Sequence, residues 1–221
     1  MTTINSKTEQ LTQAGQQIEH DSFAIVDREV GEHSYRENEW QVVRRMIHAT
    51  ADFEFNGLTE FSPNAIEAGI AAILNGAPVV ADVEMICVGL SQPRLAHFGM
   101  TANQFISDSD VIAEAKAVNS TRAVQAMRKA HRLNLLNGGI VAVGNAPTAL
   151  LEVLRLIDEE GVKPALIVGM PVGFVSAAES KDALSRANVP WLITRGRKGG
   201  STLVVAAIHA LLSLAESQQK S

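Results

Sequence analysis

Gly139-Ile-Val-Ala-Val143, running straight into Gly144-Asn-Ala-Pro-Thr148, decides the fold. An apolar, β-branched run reads as a buried strand, the glycine as the turn that ends it, and the proline as the first turn of a helix. Two later blocks share this grammar. Ala165-Leu-Ile-Val168 passes into Gly169-Met-Pro-Val-Gly173, and Pro190-Trp-Leu-Ile193 passes into Arg195-Gly-Arg-Lys-Gly-Gly-Ser201. Strands alternating with helices specify a parallel sheet with right-handed crossovers and helices on both faces. The predicted fold is therefore α/β: a single-domain, doubly wound three-layer sandwich with a mainly parallel sheet.

Upstream, Trp40, Val43 and Ile47 recur at helical spacing and predict a helix from about Glu37 to Ala51. Ser62-Pro63 predicts the start of the next, with Ser62 as cap. Its buried face would be Ile66, Ile70, Ile73 and Leu74, and Asn75-Gly76 would stop it. Pro78-Val-Val-Ala-Asp-Val83 reads as another short strand, and Asp108 to Leu136 as two helices, the second opening near Ser120. Residues 1–20 read as a flexible tail with no signal peptide, leaving 21–221 as one domain.

Composition narrows function by exclusion. Nineteen basic against 24 acidic residues give a net charge of -5, so no global field draws the chain to nucleic acid or to an anionic membrane. The longest apolar stretch, Leu203 to Ala215, is broken by His209 and falls short of a bilayer span. The single cysteine, Cys87, excludes an internal disulfide and fits a reducing cytoplasm. The six histidines are dispersed without HxxxH spacing, so no protein-ligated metal is predicted. Gly138 to Gly144 lies within a strand and is no dinucleotide fingerprint; a Walker lysine and a Gly-x-Ser-x-Gly elbow are also missing. In an open parallel sheet, ligands bind beyond the carboxyl ends of the strands. All three glycine turns fall there, each followed by a helix opening whose free N–H groups favour an anion.

The segment Arg44-Arg-Met-Ile-His-Ala-Thr-Ala-Asp-Phe-Glu54 carries the candidate chemistry. On a helix Arg44 and Arg45 precede His48 by four and three residues and share its face, and Asp52 would extend that face by a turn. A guanidinium disfavours an imidazolium and a carboxylate favours it, which keeps a proton exchangeable near neutrality. Spacing alone is equally that of a solvated, charge-balanced helix surface.

From Ser22 to about Leu212 the chain resembles the precorrin-8X methylmutase family, which includes the cobalt-precorrin-8 enzymes. The matching segments are Ser22-Phe23, Arg45 to Glu54, Gly76 to Val83, Thr121-Arg-Ala123, Gly139 to Leu150, Pro171 to Lys181 and Gly196 to Ser201. The resemblance implies a 1,5-sigmatropic methyl shift from carbon 11 to carbon 12 of a corrin precursor, giving hydrogenobyrinic acid, or cobyrinic acid from the cobalt-containing substrate. It implies no cofactor and makes His48 the acid/base residue. Ser22 and Arg45 fall on substrate-binding positions, and Arg122 joins them. The helix openings at Asn145 to Thr148 and Gly199 to Ser201 offer further carboxylate sites, with Asn145 and Arg197 as their side chains. Phe174 is read evenly as core packing or as a ring lying against the macrocycle. The resemblance also implies a homodimer with the substrate site near its interface; hand-over of the tetrapyrrole to neighbouring pathway enzymes is a further expectation. The competing reading is a non-catalytic corrinoid carrier, which needs the carboxylate clamps but no proton donor. A nucleotide-dependent transferase lacks its phosphate loop.

Overall fold

Four of the apolar runs pair side by side in one sheet in a computed structural model that describes residues 12–219. In chain order the elements are α1 (Gln13–Glu29), α2 (Glu37–Thr50), α3 (Phe55–Leu58), β1 (Thr59–Phe61), α4 (Ala65–Leu74), β2 (Val79–Ala81), α5 (Glu84–Gly89), α6 (Gln92–His97) and β3 (Ala102–Asn103). They continue as α7 (Ser109–Ala117), α8 (Arg122–Arg132), β4 (Ile140–Val143), α9 (Pro147–Glu160), β5 (Leu166–Gly169), α10 (Ala177–Leu184), β6 (Trp191–Thr194) and α11 (Ser201–Gln218). The sheet order is β1-β6-β5-β4-β2-β3, parallel throughout except for the antiparallel edge strand β1.

Strand periodicity divides the core in two. Ile140, Ala142, Leu166 and Val168 point into one cluster with Val43 and Ile47 of α2, Ile70 of α4 and Ile208 of α11. Val141, Val143, Ile167 and Ile193 point the other way, onto Met127 of α8, Val153 of α9 and Leu184 of α10. Strands covered on both faces are apolar at every position, which is why β4 and β5 read as unbroken runs rather than alternations. The fold class is the three-layer α/β sandwich that the blocks predicted.

Several details differ from the sequence reading. Ser62 does not cap α4: its Oγ accepts from the Trp191 N–H at 2.9 Å, and its own N–H donates to the Trp191 carbonyl, so it extends the β1–β6 edge. The predicted tail overlaps α1, which begins at Gln13 with Thr12 as its cap; residues 1–11 lie outside the described residues. The apolar stretch near the C-terminus is an 18-residue helix, long and apolar enough by length and composition to cross a membrane. Here it is the core helix, packed against α2, α4 and α5 with Leu203, Val204, Ile208, Leu211 and Leu212 buried.

Candidate active site

Helix α2 turns Val42, Val43, Met46 and Ile47 inward, which leaves Arg44, Arg45 and His48 on the side that α1 covers. Three contacts hold α1 there. Asp27 accepts from Trp40 Nε1 at 3.0 Å and from Arg44 Nη1 at 2.9 Å, and Glu19 pairs with Arg45 at 3.2 Å. Phe23 lies at the centre. Its ring centroid is 4.8 Å from that of His48, and the guanidinium groups of Arg44 and Arg45 stand 4.6 and 5.5 Å from it. Beside it Ser22, Ile25, His48, Ala51 and Phe53 border a hollow of about 280 Å³. Arg45 borders a second cavity of about 450 Å³ with Phe23, Gln41 and Arg44. A larger one of about 770 Å³ is bordered by Glu32, Glu39 and Glu60, and that acidic lining opposes a polycarboxylate ligand.

The other candidates gather at the carboxyl edge of the parallel strands. Asp82, directly after β2 and fully buried, accepts from the N–H groups of Gly144, Asn145 and Ala146 at 3.0, 2.8 and 2.6 Å. Burial pushes its carboxyl above the ordinary range, opposed by those three donors. The opening of α9 therefore already holds an anion of the protein's own, and its backbone does not offer the carboxylate site that the sequence suggested. Asn145 keeps an exposed side chain there. Thr121 caps α8 and reaches Thr148 Oγ1 at 3.2 Å, which brings the exposed Arg122 beside the same opening. Gly144 lies against the start of α11, so close that a Cβ would meet Ser201 Cα at 2.7 Å.

The turn between β6 and α11 carries Arg197, whose guanidinium lies 5.5 Å from the ring of the exposed Phe174. Phe174 is thus not core packing. The turn is fixed from below: the Lys198 carbonyl accepts from Lys181 Nζ at 2.7 Å and from Thr194 Oγ1 at 2.8 Å. Lys181 is fully buried, and burial brings its ammonium down to about 8. The Lys198 side chain pairs with Asp52 and Glu54, joining this turn to the end of α2. These bonds hold the Asp52 carboxyl below its usual range. Asp52 accordingly does not continue the His48 face. Ala51 takes the left-handed conformation at φ 53°, the helix ends, and the carboxylate turns to Lys198.

Of the residues singled out in the sequence, Ser22 and His48 share one hollow, Arg45 adjoins it across Phe23, Asn145 precedes the α9 opening, and Arg122 follows Thr121, which bonds to Thr148 of α9. Arg197 stands on a third loop of the same edge. Sequence reasoning missed Asp82 and Lys181, and read Lys198 only as one of the cations of its loop, there for anion binding or for solubility. Lys181 had a signal, since Ala177, Ser180 and Leu184 form an inward stripe that it interrupts. Asp82 had one too, an acid directly after a buried strand. Among the described residues no group of three His, Cys, Asp or Glu side chains converges as a metal site would require.

The sequence and the fold are matched by known proteins. The precorrin-8X methylmutase family model covers residues 17–214. The chain belongs to the precorrin-8X methylmutase family. A cobalt-precorrin-8 methylmutase from Leptospira interrogans is 52% identical, covering 95% of this chain and 98% of the relative. A precorrin-8X methylmutase from Sinorhizobium is 39% identical, covering 89% and 93%. A crystal structure of the Thermus thermophilus precorrin-8X methylmutase superposes with a TM-score of 0.88 at 53% identity, covering 92% of this chain and 97% of that one. This methylmutase chain therefore shares both sequence and fold with its family along nearly its whole length.

Proposed function

We propose that this methylmutase, an isomerase, moves a methyl group from carbon 11 to carbon 12 of a corrin precursor bound across the carboxyl edge of its sheet, with His48 as the acid. The grouping of His48, Phe23 and Arg45 beside a hollow of about 280 Å³ carries the reading. Such a hollow admits the rim of a macrocycle, and the rest would lie over the edge loops. A sigmatropic shift needs no nucleophile; it needs the substrate held in a reactive geometry and a proton delivered near the migrating centre. Positioned proton transfer contributes about 10²- to 10⁴-fold, and orientation supplies the remainder. Arg45, Arg122 and Arg197 suit the rim carboxylates because a guanidinium grips a carboxylate with two hydrogen bonds. Ser22 and Asn145 add neutral polar contacts at the hollow and at the α9 opening.

Phe174 and Val175 are 85% and 82% exposed at the tip of the loop after β5. Apolar side chains held in water beside Arg197 support either contact with the macrocycle or burial in a homodimer whose interface adjoins the site. Hand-over of the tetrapyrrole to neighbouring pathway enzymes and a cytoplasmic location belong to the same proposal. Relatives named for either substrate resemble the chain, so both are tested. Precorrin-8X and cobalt-precorrin-8 are each mixed with the wild-type protein and with His48→Ala, and absorption is followed in time. Conversion by the wild type and unchanged binding by the variant support acid catalysis. Binding without conversion by both proteins, for both substrates, supports the carrier instead.

A further inference from the structure

Lys198 stands where the candidate site's two halves meet, and no role in binding explains its contacts. Its ammonium is shared between the Asp52 and Glu54 carboxylates, 2.9 Å from the latter, and lies 5.8 Å from the Phe55 ring. Asp52 and Glu54 flank Phe53, and Phe53 with Ala51 forms one wall of the hollow that His48 borders, the rest coming from α1 and α2. Both neighbours of that wall residue are thus held by one cation. The stretch lies outside the packed core and is otherwise held by local bonds: α2 has ended, Ala51 is left-handed, the Asp52 N–H donates to Thr50 Oγ1 at 3.3 Å, and the Glu54 N–H donates to Asp52 Oδ1 at 3.0 Å. The cation itself comes from a rigid mount. The Lys198 carbonyl receives bonds from the buried Lys181 and Thr194 side chains, Gly199 lies against the backbone of Met170, and the Gly200 N–H donates to the Met170 carbonyl at 2.8 Å.

Building on the His48 reading above, we propose that Lys198 is a positioning residue: by clasping Asp52 and Glu54 on either side of Phe53 it fixes the wall of the His48 hollow, and with it the approach of the macrocycle to the imidazole. The consequence is catalytic rather than structural. The Lys198 side chain is 42% exposed, and ion pairs in that setting add little to stability. A wall displaced by an ångström, in contrast, costs on the order of 10²-fold in rate when it misplaces a reacting centre. Because Lys198 spends its charge on Asp52 and Glu54, its loss leaves the carboxylate contacts to substrate in place.

The test compares steady-state conversion of the tetrapyrrole by full-length wild type, Lys198→Ala, Lys198→Arg, the Asp52→Asn/Glu54→Gln double variant and the combined triple variant, with the melting temperature of each. The expected result for Lys198→Ala is a fall in kcat of about tenfold or more with KM within about twofold and melting unchanged. The double variant should fall equally, the triple variant no further, and Lys198→Arg should recover most of the rate. An unchanged kcat in Lys198→Ala overturns the proposal. So does a raised KM in Lys198→Ala with a silent double variant, which would place the ammonium on substrate. His48→Ala run alongside separates the two ideas. If it is inactive while Lys198→Ala is normal, only the positioning role fails; if it converts substrate at the wild-type rate, the His48 reading itself fails.

Discussion

Replacing Lys181 with Met should change how stability depends on pH in a calculable way. The ammonium is fully buried on α10, and its partner is the Lys198 carbonyl at 2.7 Å. Lysine ordinarily titrates at 10.5, and burial lowers Lys181 to about 8, because the charged form loses its hydration. The folded state therefore gives up this proton before the unfolded chain does. Between about pH 8 and 10.5 the unfolded chain binds more protons, so the lysine's contribution to stability grows as pH rises and is lost again as pH falls through 8. At about 1.4 kcal/mol for each unit of difference, wild type should gain roughly 2 to 3 kcal/mol on Lys181→Met between pH 7 and pH 10. Met fills a similar volume, and the loss of a donor to the Lys198 carbonyl adds an offset that hardly varies with pH. Urea denaturation followed by circular dichroism at pH 7, 8.5 and 10 measures the difference directly. Other titrating groups are common to both proteins and cancel. A wild-type minus variant difference that stays flat across this range would refute the reasoning, since it would mean that the ammonium is hydrated.

Substitutions at two further positions probe the scaffold under the site. Asp82→Ala leaves the Gly144, Asn145 and Ala146 N–H groups without their buried acceptor and should cost about 2–4 kcal/mol, read as a lowered thermal midpoint. Asp82→Asn, which keeps one acceptor oxygen, should recover part of that loss. Gly144→Ala would drive a methyl to 2.7 Å from Ser201 Cα and 2.8 Å from its N, backbone that cannot swing aside. The start of α11 must shift, and a loss of at least about 2 kcal/mol, with falling soluble yield, is expected; an unchanged melting curve would contradict the packing described.

The sequence by itself determined the architecture and the family. Strands buried on both faces must be apolar at every position, so β4, β5 and β6 announced themselves, and the glycine turns fixed where a ligand would lie. The Arg45 to Glu54 segment, with six others in order, was specific enough to carry the family, which the matches to known methylmutases bear out. Only the tertiary structure decided which partners the charged groups take. Helical spacing put Asp52 under His48, but a left-handed Ala51 ends the helix one residue earlier and sends that carboxylate to Lys198, 146 positions away. The α9 opening looked like an anion site because its sequence shows free N–H groups. It does not show that Asp82, 62 to 64 residues upstream, already fills them. The β1 edge strand was illegible for a related reason: three residues carry no periodicity, and Thr59–Phe61 becomes a strand only because β6 presents an unpaired edge to it. Periodicity reports which face of an element is buried, whereas the identity of what covers that face is set by contacts between residues far apart in the chain.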